Sequence, residues 1–278
     1  MREYRTAYAC DMTTMHCGGM IARLYEPETK EQLAELIGSL DSFIVVGGGS
    51  NMIFPDGTTD TPVIRLGKGF GAIERDGDTV IAGASASTAG VLGFCARSGL
   101  SGLEFLSGIP GTIGGALSMN AGTKDEGIMD ALETAEFMDR EGAHSVGKGQ
   151  LSSGYRKGGF PPHAVITGAR LRVRRSTPEE VRSKMESYLL KRKGQPGGYS
   201  SGSVFRNPPD RSAGFLIEQA GLKGFRIGGA KVSEIHANFI INDGKASAAD
   251  VRSLVGLIKQ RVKEQFGIEL QEEVRIVD

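Results

Sequence analysis

Residues 43–51 read FIVVGGGSN, a run of four large apolar residues that breaks into three glycines, a serine and an asparagine. The apolar run predicts a buried strand. Thr29 and Gln32 form a capping box before a helix that runs to about residue 40, and residues 21–25 read as an earlier strand. These segments predict a β-α-β unit whose second strand ends in a glycine turn, where backbone N–H groups could hold a pyrophosphate.

This glycine turn does not match the dinucleotide fingerprint of a Rossmann fold. The G-x-G-x-x-G pattern requires glycine at the position of Met52, and it requires the helix to follow the strand, whereas here the helix precedes it. No Walker A sequence is present either. Taken in isolation, the turn is either a phosphate site of another kind or an ordinary structural turn.

A second glycine-rich stretch, GLEFLSGIPGTIGGALSMNAG, spans residues 102–122 and is too rich in glycine for a long regular element. Its centre, residues 108–115, predicts a rigid loop packed against a flat or anionic ligand; a purely structural turn is the alternative. Glycine suits such a loop because, without a Cβ atom, its backbone can approach another group closely. Two such loops from different parts of the chain suggest one extended ligand between them.

The composition argues against several classes of protein. The 278 residues include 33 basic and 33 acidic side chains, so the chain lacks the positive field that non-specific nucleic-acid binding needs. Glycine accounts for 41 residues, about 15% of the chain against a usual ~7%. Three cysteines without a C-x-x-C pair indicate neither a disulfide framework nor a metal site. Because no signal peptide or membrane-length apolar run is present, we expect a cytoplasmic protein. We also expect a monomer.

The remaining periodicity predicts an α+β architecture. Strands are expected at 79–82, 134–138, 164–174 and 268–277, and helices from Ser87, over 178–193 and over 248–266. The segment 194–203, GQPGGYSSGS, is the best linker candidate and predicts the boundary of a C-terminal domain.

The two glycine loops belong to an ordered set of motifs that resembles the UDP-N-acetylenolpyruvoylglucosamine reductase (MurB) family. The further motifs are Gly154-Tyr155-Arg156, Gln195-Pro196, Gly202-Ser203-Val204-Phe205-Arg206-Asn207-Pro208, Gly228-Gly229-Ala230, His236-Ala237-Asn238-Phe239 and Glu272-Glu273-Val274. Most of them are weak individually, but they follow the family's order along nearly the whole chain.

The resemblance implies an α+β protein with the FAD-binding fold of the vanillyl-alcohol oxidase (PCMH) type. Two FAD-binding subdomains, 1–66 and 67–193, would precede a substrate-binding C-terminal domain at 194–278, whose last strand either stays there or returns to the first subdomain. One subtype of the family carries an extra tyrosine-bearing loop. The short path from Glu180 to Ser203 indicates the subtype that lacks it.

The same resemblance implies non-covalently bound FAD, with NADPH as co-substrate. The residues that it assigns to FAD are Gly47, Gly48, Gly49, Ser50, Asn51, Gly108, Ile109, Pro110, Gly111, Gly114, Gly115, Ala116 and Asn120. The family reaction reduces the enolpyruvyl ether of a nucleotide sugar to a lactyl ether for peptidoglycan synthesis.

That reaction needs stabilisation of an enolate and a positioned acid. By the resemblance, Ser203 is the proton donor, Arg156 pairs with the substrate carboxylate, and Glu273 acts with Arg156 on the developing enolic acid. Glu272 is the adjacent alternative, and because a strand directs neighbouring side chains to opposite faces, only one of the two can be catalytic.

The nucleotide sugar would be bound by Asn207, His236 and Asn238. A basic residue usually precedes Gln-Pro in the family, whereas this chain has Gly194, so Lys193 or Arg192 is expected to supply the phosphate contact. Neither nucleic acid nor a membrane is expected as a partner.

Two alternatives to the reductase remain open. One is another flavoprotein of the same fold that acts on an alcohol or hydroxy acid, and the other is a nucleotide-sugar binder without turnover. The combination of Ser203, Arg156 and Glu273 favours the reductase, because the other flavoprotein has no need for it.

Overall fold

The computed structural model describes all residues from Met1 to Asp278. Six of its seven helices begin after a serine or threonine whose hydroxyl accepts a hydrogen bond from the first turn, as N-caps do. Their bounds are α1 Lys30–Ser39, α2 Thr88–Ser98, α3 Ile113–Ser118, α4 Ile128–Ala131, α5 Pro178–Arg192, α6 Ala213–Gln219 and α7 Ala248–Phe266. The predicted cap at Thr29 is confirmed, and Thr177 and Ser247 cap the two helices predicted over 178–193 and 248–266.

Eighteen short strands complete the secondary structure. Their bounds are β1 Arg2–Tyr4, β2 Ala7–Tyr8, β3 Met20–Ile21, β4 Leu24–Glu26, β5 Ile44–Val45, β6 Met52–Ile53, β7 Val63–Ile64, β8 Ile73–Asp76, β9 Thr79–Gly83, β10 Leu100–Ser101, β11 Leu132–Asp139, β12 Gly142–Gly147, β13 Val165–Arg172, β14 Arg174–Arg175, β15 Arg226–Ile227, β16 Ala230–Val232, β17 Ile240–Asn242 and β18 Arg275–Ile276.

The chain divides into two compact units. The first contains residues 1–4, 24–48 and 61–193, and the second contains residues 5–23, 49–60 and 194–278. The chain passes from the first unit to the second between residues 193 and 194. The segment 1–66 contributes to both units, and the predicted division into three domains stays a prediction.

The first unit contains two sheets. One is antiparallel, with the order β12-β11-β13-β9-β8, and the other has the order β1-β4-β7-β5. In the second sheet β4 and β5 both pair in parallel with β7, and α1 connects them, which confirms the predicted β-α-β unit. Helix α1 buries Leu33, Leu36 and Ile37, the apolar face that helical spacing predicts.

The second unit packs its sheet, ordered β15-β16-β17, with α6 and α7. The apolar stripe of α7 is buried, and its core members are Val251, Leu254, Val255, Ile258 and Val262. They share one core with Phe205, Ile217 and Val232. The terminal strand β18 pairs in parallel with β6, so it joins residues 52–53 within this unit.

One expectation about the second unit was wrong, and one of its helices was not predicted. The strand predicted over 268–277 is reduced to β18, because Glu272 pairs with Phe205 whereas Arg275 pairs with Met52, and a change of partner interrupts the ladder. Helix α6 was not predicted; it is short and begins after Ser212. None of the helices combines the length and apolar composition that crossing a lipid bilayer requires.

Candidate active site

The two predicted glycine loops meet in the first unit. A Cβ atom on Gly48 would lie 2.6 Å from the Cα of Gly111, and one on Gly47 would lie 2.6 Å from Thr112 Oγ1. Side chains at these positions would therefore force the loops apart. The close approach explains why positions 47 and 48 are glycines.

Loop 108–116 is held rigidly by the segment before α2 and by the first residue of that helix. Thr88 Oγ1 donates to the carbonyl of Ile109 at 2.7 Å, and the N–H groups of Ile113 and Gly114 donate to the carbonyls of Ala86 and Ala84, each at 2.9 Å. Those two N–H groups are consequently engaged within the protein. Ala116 is buried in the core.

Ser107, immediately before this loop, was not singled out in the sequence. Its hydroxyl is buried, at 2% exposure, and has no hydrogen-bond partner within the protein. Buried polar atoms are nearly always paired, so this hydroxyl calls for a polar group that the chain does not supply. A cofactor with polar atoms, such as FAD, fits this environment. Only burial distinguishes Ser107 from other loop serines, and burial has no local sequence signal.

The side chains of the two asparagines predicted to contact FAD are engaged within the protein. Asn51 Nδ2 donates to the carbonyl of Glu273 at 3.0 Å. Asn120 has a left-handed backbone (φ 43°), and its Nδ2 donates to the carbonyl of Gly154 at 3.1 Å. Each asparagine therefore holds a segment that carries a predicted catalytic residue, Glu273 or Arg156, and direct contact with FAD stays a prediction for both.

Arg156 lies in a tight turn of the first unit. Gly154 and Lys157 exchange backbone hydrogen bonds of 2.8 and 3.1 Å, and Arg156 between them has φ 56°. A non-glycine residue in this conformation is uncommon and is often found at functional sites. The Arg156 guanidinium lies 5.6 Å from the centre of the Tyr155 ring.

Arg192, at the end of α5, is close to both Arg156 and the second loop. A Cβ atom on Gly108 would lie 2.9 Å from Arg192 Cδ. Burial, together with the like charge of Arg156, lowers the pKa of Arg192. Lys193, the next residue, is exposed.

The segments of Ser203 and Glu273 are brought together in the second unit. Ser203 pairs with Phe239, and the N–H of Val204 donates to the carbonyl of Asn238 at 2.9 Å. On the other side, the N–H of Glu273 donates to the carbonyl of Val204 at 2.8 Å. Because Arg156 belongs to the first unit, a site shared by all three predicted catalytic residues stays a prediction.

Asn238 holds the Ser203 segment through its side chain. Its Oδ1 accepts from the N–H of Phe205 at 3.0 Å, and its Nδ2 donates to the carbonyl of Phe205 at 2.8 Å. The residue is 3% exposed. The observed role is thus structural support, and the predicted contact with the nucleotide sugar stays a prediction.

The two adjacent glutamates have different environments. Glu272 Oε1 lies 2.7 Å from Lys259 Nζ on α7, so its charge is compensated. Glu272 is also the residue directly opposite Phe205, a core residue. Since neighbouring side chains alternate, Glu273 is directed to the other face, away from Phe205 and α7. This arrangement supports the choice of Glu273 over Glu272.

The other two residues assigned to the nucleotide sugar are also tied to the protein. Asn207 Oδ1 accepts from the N–H of Ala213, at the start of α6, at 2.9 Å. His236 Nδ1 accepts from the N–H of Asn238 at 3.2 Å, and burial of the ring lowers the pKa of His236. Both residues are exposed, and their contact with substrate stays a prediction.

Two family models match separate parts of the chain. The FAD binding domain model matches residues 21–146, and the model of the C-terminal domain of UDP-N-acetylenolpyruvoylglucosamine reductase matches residues 195–277. These matches confirm the predicted FAD-binding fold.

Relatives from other bacteria carry the name UDP-N-acetylenolpyruvoylglucosamine reductase. The reductase of Rhodopseudomonas palustris (strain BisB5) is 42% identical over 271 residues, which cover 95% of this chain and 87% of the relative. The reductase of Syntrophobacter fumaroxidans is 40% identical over 278 residues, covering 95% and 81% of the two chains.

A solved structure agrees with these relatives. The crystal structure of UDP-N-acetylenolpyruvylglucosamine reductase from Thermus caldophilus has 38% sequence identity to the chain, covers 100% of both chains and superposes with a TM-score of 0.91. The sequence and structure comparisons agree over nearly the whole chain, and the chain belongs to the UDP-N-acetylenolpyruvoylglucosamine reductase family.

Proposed function

We propose that the protein uses FAD and NADPH to reduce UDP-N-acetylglucosamine enolpyruvate to UDP-N-acetylmuramate in peptidoglycan synthesis, with Ser203 as proton donor. The observation that carries this proposal is the backbone pairing of the Ser203 segment with that of Glu273, through Val204. The cytoplasmic location and monomeric state expected from the sequence are part of the proposal.

The glycine loops are proposed to hold FAD. The backbone contact between Gly48 and Gly111, together with the unpaired hydroxyl of Ser107, supports this assignment. FAD, when bound, would supply to the methylene carbon of the olefin a hydride that derives from NADPH.

Arg156 is proposed to bind the substrate carboxylate. A guanidinium can donate two parallel hydrogen bonds to a carboxylate, and its charge opposes the negative charge that develops as the olefin is reduced. The left-handed backbone at Arg156 and the hydrogen bond from Asn120 to Gly154 would keep this arginine in place.

Ser203 and Glu273 are proposed to complete the proton chemistry. The Ser203 hydroxyl donates its proton to the carbon next to the carboxylate, because the enolate formed there is a stronger base than the alkoxide that the serine becomes. Glu273, acting with Arg156, stabilises the enolic acid by hydrogen bonding.

Flavin absorbance tests this function. The purified protein should be yellow, NADPH should bleach it under anaerobic conditions, and UDP-N-acetylglucosamine enolpyruvate should restore the colour. In Ser203→Ala, NADPH should bleach the flavin at near the wild-type rate, but the enolpyruvyl substrate should no longer restore the colour. The nearby Ser200→Ala should show both steps. A colourless protein would indicate a binder without FAD, and a yellow protein that the enolpyruvyl substrate never recolours would indicate a flavoprotein with another substrate.

A further inference from the structure

Arg206 has a buried hydrogen-bond donor without a partner. Its Nε is shielded from solvent and makes no hydrogen bond, and its guanidinium takes part in no ion pair or ring contact. Leaving such a donor unpaired is costly, so an unpaired buried group in a native protein requires an explanation. A ligand that completes the hydrogen bonds of the guanidinium is one such explanation.

The pairing register directs Arg206 to the same face as Glu273. Phe205 lies directly opposite Glu272; Phe205 belongs to the core that includes residues of α7, and Glu272 pairs with Lys259 on α7. Alternation along each segment therefore directs Arg206 and Glu273 to the opposite face. The unpaired guanidinium thus shares a face with a residue assigned to catalysis.

Ser201 provides an independent observation on the same segment. Its side chain is 3% exposed, and its hydroxyl has no hydrogen-bond partner within the protein. Ser201 precedes Ser203 by two residues, and Arg206 follows it by three. Two buried polar groups that the protein leaves unpaired therefore flank the proposed proton donor in the sequence.

We propose that Arg206 binds an oxyanion of the substrate and that the Ser201 hydroxyl contributes a hydrogen bond to the same ligand. This inference rests on the proposed function. A guanidinium matches the geometry of phosphate and carboxylate oxygens alike. The substrate offers both, in its diphosphate and in its enolpyruvyl carboxylate, and binding experiments can separate the two.

The test compares Arg206→Gln with Arg211→Gln in the FAD-loaded protein. Arg211 is an exposed arginine on the same stretch of chain without a side-chain hydrogen bond, ion pair or ring contact, so it controls for the loss of one charge. Calorimetric titration should use UDP, UDP-N-acetylglucosamine and the enolpyruvyl substrate. Because a hydrogen bond to a charged group contributes substantially to binding, Arg206→Gln should weaken binding roughly 10- to 100-fold.

The three ligands identify the oxyanion. Weaker binding of all three by Arg206→Gln would assign Arg206 to the diphosphate, and weaker binding of the enolpyruvyl substrate alone would assign it to the carboxylate. Binding equal to that of Arg211→Gln for every ligand would overturn the inference. If the wild-type protein binds none of the three ligands, the proposed function is wrong, and the inference about Arg206 is refuted as well.

Two further variants test the proposal even if Arg206→Gln does not fold. Arg206→Lys keeps the charge but not the paired donors, so it should weaken binding less than Arg206→Gln does. If thermal melting shows that Arg206→Gln is unfolded, the affinity of Arg206→Lys decides, and wild-type affinity would refute the proposal. Ser201→Ala should weaken binding of the same ligand by up to about tenfold.

Discussion

Replacing Asn238 with leucine should separate the stability of the second unit from the chemistry at Ser203. Leucine has a similar volume but cannot replace the two hydrogen bonds, of 3.0 and 2.8 Å, that the Asn238 side chain makes with the backbone of Phe205. Each buried backbone group left unpaired costs about 1–3 kcal/mol, so the variant should lose roughly 2–6 kcal/mol of unfolding free energy. Natural proteins have only about 5–15 kcal/mol in total, so the loss is large.

The same hydrogen bonds hold the segment that carries Ser203. We therefore expect Asn238→Leu to retain FAD and to be reduced by NADPH at near the wild-type rate, while the enolpyruvyl substrate reoxidises it at least tenfold more slowly. Stopped-flow absorbance measures the two half-reactions separately, and urea unfolding measures the stability. If Asn238 only stabilised the fold, its replacement would not change the ratio of the flavin reduction rate to the reoxidation rate.

Asn242→Leu is the matched control. Asn242 is equally buried in the second unit, but its amide contacts Met15, His16, Gly244 and Ala246 rather than the Ser203 segment. It should lose at least as much stability without a selective effect on substrate reduction. If both variants slow the two half-reactions equally, or if Asn242→Leu shows the same selectivity, Asn238 does not position Ser203.

Three further predictions concern other parts of the molecule. Gly48→Ala should lower the FAD content of the purified protein, because its Cβ would lie 2.6 Å from the facing glycine; full FAD content would argue against the loop contact. Glu272→Gln breaks an ion pair with Lys259 that is about one-third exposed, so the free energy of unfolding in urea should fall by at most ~1 kcal/mol. Turnover should be preserved in Glu272→Gln and abolished in Glu273→Gln. The reverse result would make Glu272 the catalytic residue. The pKa of His236 is lowered by burial, so the unfolded state binds more protons and stability should fall as the pH drops below about 6.5; His236→Gln should reduce that slope, and an unchanged slope would mean that other groups cause it.

The helices show how much of the structure can be predicted from residues close together in the sequence. Thr177 and Glu180 are three residues apart, and Gly267 directly follows the last residue of α7, so cap and helix lie within the same short stretch of sequence. Such interactions depend on neighbours along the chain, and their bounds follow from residue types alone. The glycine turn after β5 was predictable for the same reason, because the break from FIVV to GGG is local. The ordered motifs then identified the family.

Tertiary structure decided which polar residues support the site and which are left unpaired. The partners of Asn238, Asn120 and Asn51 lie 33, 34 and 222 residues away, so no spacing rule could reveal that their amides hold the segments of Ser203, Arg156 and Glu273. The last strand is likewise limited to β18, because Glu272 pairs with Phe205 whereas Arg275 pairs with Met52. The sequence thus determined the local elements and the family, whereas hydrogen bonds between distant residues, which exist only after the chain has folded, decided how the proposed catalytic segments are held.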